Sequence, residues 1–316
     1  MKRLFCVLFV MLYLGIIGFA WAEQNERLSE SNRAKIEAKR QKIEEEIAQL
    51  KDHPWAGRYY HGNRGGLDDI GGVEATLTLA PENGFTVVWR NNGWIDPTLD
   101  LEPQHGTVNW DEDRLKLSFA FDLESKIISN EVTERTLIRW GERVYLIPVK
   151  SIILFCNAIN EGVEPRKKAS GRFYLRMGDE KKEATGKPEL PEKFMPYILD
   201  KPIDATIVSV KDIQEERDLK DTTGAVYHKK NVTVVINKGK KDGLLPDMEL
   251  YAIEPNVFEL WRWQVKLTKI EGTQSEVEFF IIERPNSGFL SYIFGTPNIS
   301  TPAEGWQLST RPRWRR

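Results

Sequence analysis

The stretch N-V-T-V-V-I-N-K-G-K-K-D-G-L-L-P-D-M-E-L-Y, Asn231 to Tyr251, carries the clearest folding signal in the chain. Val232, Val234 and Ile236 alternate with Thr233, Val235 and Asn237, the period of two of a strand with one buried face. Lys238-Gly239-Lys240-Lys241-Asp242-Gly243 follows as a charged turn whose two glycines can take φ > 0 without steric cost. Leu244-Leu245-Pro246-Asp247 opens a second turn, and Met248-Glu249-Leu250-Tyr251 resumes a strand. Nothing here is shaped for chemistry; the stretch predicts a strand–turn–strand unit.

Around this unit, Ala205 to Val210 reads as a preceding strand, Lys211 to Lys230 as a polar excursion, and Trp263 to Ile270 and Ser275 to Ile282 as strands joined at Glu271-Gly272-Thr273-Gln274. Strands this short and close predict a small β-barrel or sandwich over residues 204–284. Residues 285–316, dominated by Gly, Pro, Ser and Thr, read as an extended basic tail anchored at Phe289, Tyr292, Phe294 and Trp306. Upstream, residues 178–203 hold Pro188, Pro191, Pro196, Pro202 and the charged run Asp179 to Glu183, which predicts a stiffened connector between domains.

Residues 53–177 read as an antiparallel β domain. Val73 to Leu79 alternates, Gly84 to Trp89 follows across Ala80-Pro81-Glu82-Asn83, and Thr107 to Trp110 precedes Arg114 to Phe121. Thr136 to Trp140 and Val144 to Ile147 flank Gly141-Glu142-Arg143 as a hairpin, and Gly171 to Arg176 is a further strand. Strands so closely spaced leave no room for crossover helices and predict a meander or barrel. Val149, Ile152, Ile153 and Cys156 have helical spacing and predict a short helix that interrupts it. Residues 23–52 lack Pro and Gly and predict one long charged helix, with Ile36, Ile43 and Leu50 seven apart. A helix docked on the next domain, a solvated spacer and a short coiled coil all fit that thin stripe. The fold expected is therefore mainly β: a meander or barrel, then a small barrel or sandwich, preceded by one helix.

The chain begins with Lys2 and Arg3, an apolar run from Leu4 to Ala20, and Ala20-Trp21-Ala22, the small-x-small pattern of a signal peptidase site. A signal peptide over residues 1–22, cleaved after Ala22, is expected, with an uncleaved anchor as the alternative. The product would be periplasmic or secreted. Cys6 then departs and Cys156 stands alone, so no intramolecular disulfide is expected and the core must hold the fold. The 45 basic and 47 acidic side chains give a formal charge of −2, which gives no reason to expect nucleic acid as a partner. The local exception is the tail, where Arg311, Arg313, Arg315 and Arg316 surround Trp314, a pattern for an anionic membrane surface or an envelope partner as well as for a solvated terminus.

Signals for chemistry are sparse. His53, His61, His105 and His228 show no metal-ligand spacing, and no nucleophile or zinc motif occurs. The glycine-rich Gly62 to Gly72 loop lacks the ligand spacing of a calcium loop and reads as a long β connection. Asp68, Asp69, Asp96, Asp100, Asp111 and Asp113 supply carboxylates for an acid–base pair without any sign of differential burial. No catalytic residue, metal ligand or cofactor is assigned. Aromatics concentrate in the first β region, and Tyr59, Tyr60, Trp89, Trp94 and Trp110 are the candidate lining of a ligand site for an apolar molecule or a sugar ring, core packing being the other use of such residues.

Trp55-x-Gly57-x-Tyr59-Tyr60-x-Gly62, with Leu77-x-Leu79-Ala80-Pro81-x-x-Gly84-Phe85, resembles the opening of uncharacterised exported bacterial proteins with a lipocalin-like β meander. The Val234 to Tyr251 pattern is similar to small β-modules of envelope assembly proteins. The first resemblance implies a barrel able to hold an apolar or glycan ligand. The leading expectation is an exported, non-enzymatic binding protein; the alternatives are a structural or interaction protein of the cell envelope and, third, a secreted hydrolase. A solvent-open cavity would favour the first, and a filled barrel with an exposed apolar patch the second.

Overall fold

In the computed structural model the residues described are 33–50, 52–61, 73–91, 103–122, 133–167, 173–220, 226–253, 264–283 and 301–311. The chain forms two compact units, and it passes between them more than once. The first comprises Met1–Val149 and Arg172–Glu189, the second Lys150–Gly171 and Leu190–Arg316.

The first unit is an eight-stranded, closed antiparallel barrel in which each strand pairs with its sequence neighbour. Its strands are β1 (Gly57–His61), β2 (Val73–Ala80), β3 (Gly84–Asn91), β4 (Gln104–Asp111), β5 (Lys116–Phe121), β6 (Glu134–Trp140), β7 (Arg143–Pro148) and β8 (Tyr174–Arg176). The last of them closes the ring, with Tyr59 opposite Arg176 and Tyr145 opposite Leu175. The alternation read from sequence sets the inward face: Tyr59, Leu77, Leu79, Phe85, Leu117, Leu137, Leu146 and Tyr174 are buried in one cluster. Phe85 meets Phe119 and Phe121 edge-on, each at 5.0 Å between ring centroids. Such side chains fill a barrel of this size.

Helix α1 (33–49) belongs to this unit and is docked, which decides among the three uses its stripe allowed. Ile36 and Ile43 are buried, and the Glu46 carboxylate accepts 2.9 Å hydrogen bonds from the Glu82 and Asn83 amides and from Asn83 Nδ2. Glu46 thereby satisfies the β2–β3 turn, whose amides have no strand partner. Residues 178–189, expected to begin a connector, strap the β6–β7 hairpin instead. The buried Asp179 carboxylate accepts from the Val144 amide at 3.0 Å, Trp140 Nε1 donates to the Gly186 carbonyl, and the Glu189 amide donates to Arg139.

The second unit is a closed six-stranded antiparallel barrel in the order β10-β13-β12-β11-β14-β9. These strands are β9 (Asp204–Lys220), β10 (Val226–Ile236), β11 (Leu250–Ile253), β12 (Gln264–Ile270), β13 (Ser275–Glu283) and β14 (Gln307–Ser309). Two expectations are corrected here. Residues 307–309 are not extended tail: Leu308 is fully buried, and β14 lies between β11 and β9. Residues 190–203 are not linker: Glu192–Tyr197 forms a 3-10 turn, and Ile198 and Ile203 are buried. The prolines stiffen a segment that packs.

Helix α2 (Ile152–Glu161), expected as an interruption of the first β region, belongs to the second unit. Two asparagines one turn apart explain why. The Asn157 side-chain amide donates to Asp247 O and accepts from the Glu249 amide; that of Asn160 donates to Tyr197 O and accepts from the Leu199 amide. Each carboxamide thus makes the donor–acceptor pair that a neighbouring strand would make. The Arg311 guanidinium then donates to the Asn160 and Ile159 carbonyls at the helix C-terminus, where a cation is favoured.

The opening stretch folds as read, with one difference in the roles of its glycines. Gly243 takes φ +95°, whereas Gly239 is extended at φ −148° and serves close approach. A Cβ there would stand 2.5 Å from the Glu271 carbonyl and 2.7 Å from the Gln274 amide. The Lys240 and Lys241 amides donate to Glu271 and Gly272, joining the β10–β11 turn to the β12–β13 turn. Gly239→Ala should therefore cost about 1–3 kcal/mol of unfolding free energy. Gly272→Ala, whose Cβ would meet only Lys241 Cε at 3.9 Å, should stay within about 0.5 kcal/mol. Urea denaturation of the two variants checks the contrast.

Candidate functional site

Two places deserve comparison: the aromatic-rich first barrel and the strands of the second unit that outrun their barrel. In the first, Tyr59 is fully buried, and its hydroxyl donates to the Trp55 carbonyl at 2.9 Å and accepts from Arg176 Nη2 at 3.1 Å. Burial pushes its phenol up to about 12. Tyr59 is thus part of the buried core cluster, with its hydroxyl engaged on both sides. Arg176 also donates to Pro54 O at 2.7 Å, tying the lead-in of β1 to the closing strand. Tyr60 is half-buried on the opposite side of β1, pairing with Thr76 and Leu175. Trp110 is half-buried against Trp55, 6.2 Å between rings, at the border of the core cluster. The backbone of Trp89 lies in β3 opposite Ala75, its side chain falling outside the described residues, as does all of Trp94. The structure therefore brings Tyr59 and Trp110 into one cluster, and puts Tyr60 on another face.

A group of polar and aromatic residues stands toward one end of this barrel. His61, Gln104, Arg135 and Tyr174 stand at the strand ends that share that rim, with register placing them on the inward face. Arg135 is 1 % exposed and lies 4.3 Å over the Tyr174 ring, whose centroid is 5.5 Å from that of His61. Sequence reading missed this group because Arg135 falls just outside the strand read as Thr136 to Trp140, and its contact with Tyr174 is long-range. His105 sits one residue out of phase beside Gln104 and pairs with Asp122 at 2.6 Å.

Among the described residues no group of three His, Cys, Asp or Glu side chains could hold a metal ion. Cys156 is buried, and burial pushes its thiol up to about 12, an inert state. Asp111 caps its own hairpin turn by accepting from the Arg114 amide. In the second unit the Tyr251 hydroxyl donates to Glu249 at 2.6 Å and lies 3.1 Å from a carboxylate oxygen of the buried Glu161. Burial and these two carboxylates drive its phenol far above the ordinary range, so it stays protonated and links α2 to β11.

The second place is an arm. β9 and β10 remain paired from Ile207 opposite Ile236 to Lys220 opposite Val226, and β13 follows β10 as far as Glu283 opposite His228. The expected polar excursion over 211–230 is therefore mostly strand. Its charges pair across strands: Lys211 with Glu276 at 2.8 Å, Lys229 with Glu216 at 3.2 Å. Its apolar side chains are open, Ile213 at 50 % and Phe280 at 59 % exposure, with Val208, Val210 and Val226 also exposed. Ile213 lies opposite Val232 on the face that continues the core, Phe280 opposite Asn231 on the other. The signal in sequence was Ile213 alone among charges, too little to distinguish from a loop.

Of the basic tail, Arg311 donates to the carbonyls at the α2 terminus and is itself exposed; Arg313, Arg315 and Arg316 lie outside the described residues. No helix among the described residues is long and apolar enough to cross a membrane.

His53 supplies a titration test of the first barrel. Its Nδ1 accepts from the Ala56 amide at 3.0 Å, and burial, followed by the Arg176 charge, lowers its pKa against a smaller opposing effect of Glu46. The unfolded chain then binds the proton more readily, so the contribution is present above about pH 6.5 and lost as pH falls below it. Denaturation midpoints between pH 7.5 and 5 should fall less in His53→Asn, which keeps a capping oxygen but does not titrate.

Comparison with known proteins finds no matching family model, no matching curated protein and no matching solved structure.

Proposed function

We propose that this chain is an exported, non-enzymatic interaction protein of the cell envelope whose contact element is the β9–β10–β13 arm. The carrying observation is where apolar surface is exposed. Of the seven exposed large hydrophobic residues described, five lie on that arm, and only Met177 and Met195 lie elsewhere. These five share three neighbouring strands, with Ile213 on one face of the sheet and Phe280 on the other, and apolar exposure gathered on one element supports its use as a contact surface. Tyr59 lies in the core cluster of the first barrel and Trp110 packs against it, which supports the reading. Export rests on Lys2, Arg3, the apolar run and Ala20-Trp21-Ala22.

A second reading, a small ligand held by the first barrel, is favoured by one feature: the His61, Gln104, Arg135 and Tyr174 rim, polar and aromatic at once. Native mass spectrometry of the chain purified from its own compartment separates the two, since a carrier would show a stoichiometric small molecule lost on denaturation.

The arm reading is tested by placing a photo-crosslinking residue at position 280, and separately at Thr268, in cells that make the protein. Polypeptide adducts from 280 with few from 268 are expected. Equal yields at the two positions would remove the arm as the contact element.

A further inference from the structure

Between β1 and β7 the chain never leaves the first unit; it does so only before the closing strand. β7 ends at Pro148, and only the 3-10 turn Val149–Ser151 separates it from α2, which belongs to the second unit. The chain is back in the first unit at Phe173, which is fully buried, and β8 then completes the ring. The polar rim is built at these two crossings. Arg135 stands opposite Pro148, where the chain departs. Tyr174, where it returns, lies under the Arg135 guanidinium, and the Phe173 carbonyl is 3.3 Å from His61 Nδ1.

We infer that α2 is the latch of the first barrel: β8 opens together with α2, as one cooperative element, when α2 leaves its place in the second unit. β8 has 3 residues and is anchored from both sides. On its C-terminal side the Met177 amide donates to the Arg58 carbonyl at 2.8 Å, and the Asp179 carboxylate takes the Val144 amide. That strap lies wholly within the first unit. On its N-terminal side the chain behind Phe173 is fixed by α2, which Asn157, Asn160 and Arg311 clip into the second unit. With α2 docked, the connection from Val149 to Phe173 is held at a fixed span. With α2 released it is a long loop, and closing that loop to seat so short a strand costs conformational entropy.

β8 then peels from the end nearest α2, Tyr174 before Arg176, while the strap keeps the other end in place. Peeling withdraws Tyr174 from beneath Arg135 and parts the ring between β1 and β7 at the rim. Because coupling between two sites is reciprocal, whatever tightens α2 in the second unit holds the first barrel shut, and whatever packs on Tyr174 at the rim tightens α2. This holds whichever element of the second unit meets a partner, so it stands apart from the arm reading.

Residue-resolved hydrogen exchange of the full chain tests the latch. Asn160→Ala removes one carboxamide clip and should lower the protection of the α2 amides and of Leu175 together, by a common factor of at least about five. Arg311→Ala, a change at an exposed side chain that keeps the fold even where Asn160→Ala does not, should lower both by a smaller common factor. Gly239→Ala weakens the second unit at the β10–β11 turn and should leave Leu175 unchanged. Leu175 keeping its protection while α2 loses its own would overturn the latch. So would Gly239→Ala lowering Leu175 as much as Asn160→Ala does, since β8 would then open only with unfolding of the whole second unit.

Discussion

Every backbone amide and carbonyl in a sheet needs a partner, and the two edges of an open sheet are where partners run out. Both units meet this constraint by closing, and in both the closing strand is only three residues long. Tyr174–Arg176 joins β7 to β1, and Gln307–Ser309 joins β11 to β9. Each arrives far along the chain from the strands it joins. In the first unit it arrives after Lys150–Gly171 has contributed to the second. Loss of either short strand would expose two edges at once, so a small length of chain governs whether each core is enclosed.

Where strands end, side chains take over the same task. Glu46 receives the amides of the β2–β3 turn, Asp179 receives Val144, and Asn157 and Asn160 each offer a carboxamide to a backbone donor and acceptor. Apart from the exposed Glu82–Glu46 bond these are buried or half-buried hydrogen bonds, each worth about 0.5–1.5 kcal/mol when made and more when one partner is removed. They explain why α2 belongs with residues 190–203 and β11, although its neighbours in sequence are strands of the first barrel. The same residues explain why proline-rich segments pack: their carbonyls and amides have been given partners.

Backbone partnering also separates what a sequence conveys locally from what it does not. Alternation of Val232, Val234 and Ile236, of Leu77 and Leu79, and of Leu117 and Phe119 made the strands and their inward faces legible, because period-two burial is a local property. Long-range pairing is not local. Gln307-Leu308-Ser309 has no pattern of its own, and only its position between β11 and β9 makes it a strand. Asn157 and Asn160 read as ordinary helix-surface polar residues, since the backbone they clip lies up to 92 positions away. Lys211 to Lys230 read as loop because its strands carry charge on both faces, a consequence of outrunning the core. The site suffered similarly: Tyr59 was visible as an aromatic, but its bonds to Trp55 and Arg176, which make it core, depend on β8.

The functional proposal follows from a part of the second unit where, among the described residues, closure is incomplete. β10 has partners on both sides, β9 and β13, whereas β9 beyond Ile207 has one. Residue-resolved hydrogen exchange on the dilute, monomeric chain measures this directly. The account predicts strong protection throughout Val232–Ile236 and at the closing residues Leu175 and Leu308, with Val208 to Glu216 split between slow amides that face β10 and fast ones that face outward. Uniform protection across Val208 to Glu216, equal to that of β10, would contradict it, since the edge would then be covered within a single chain.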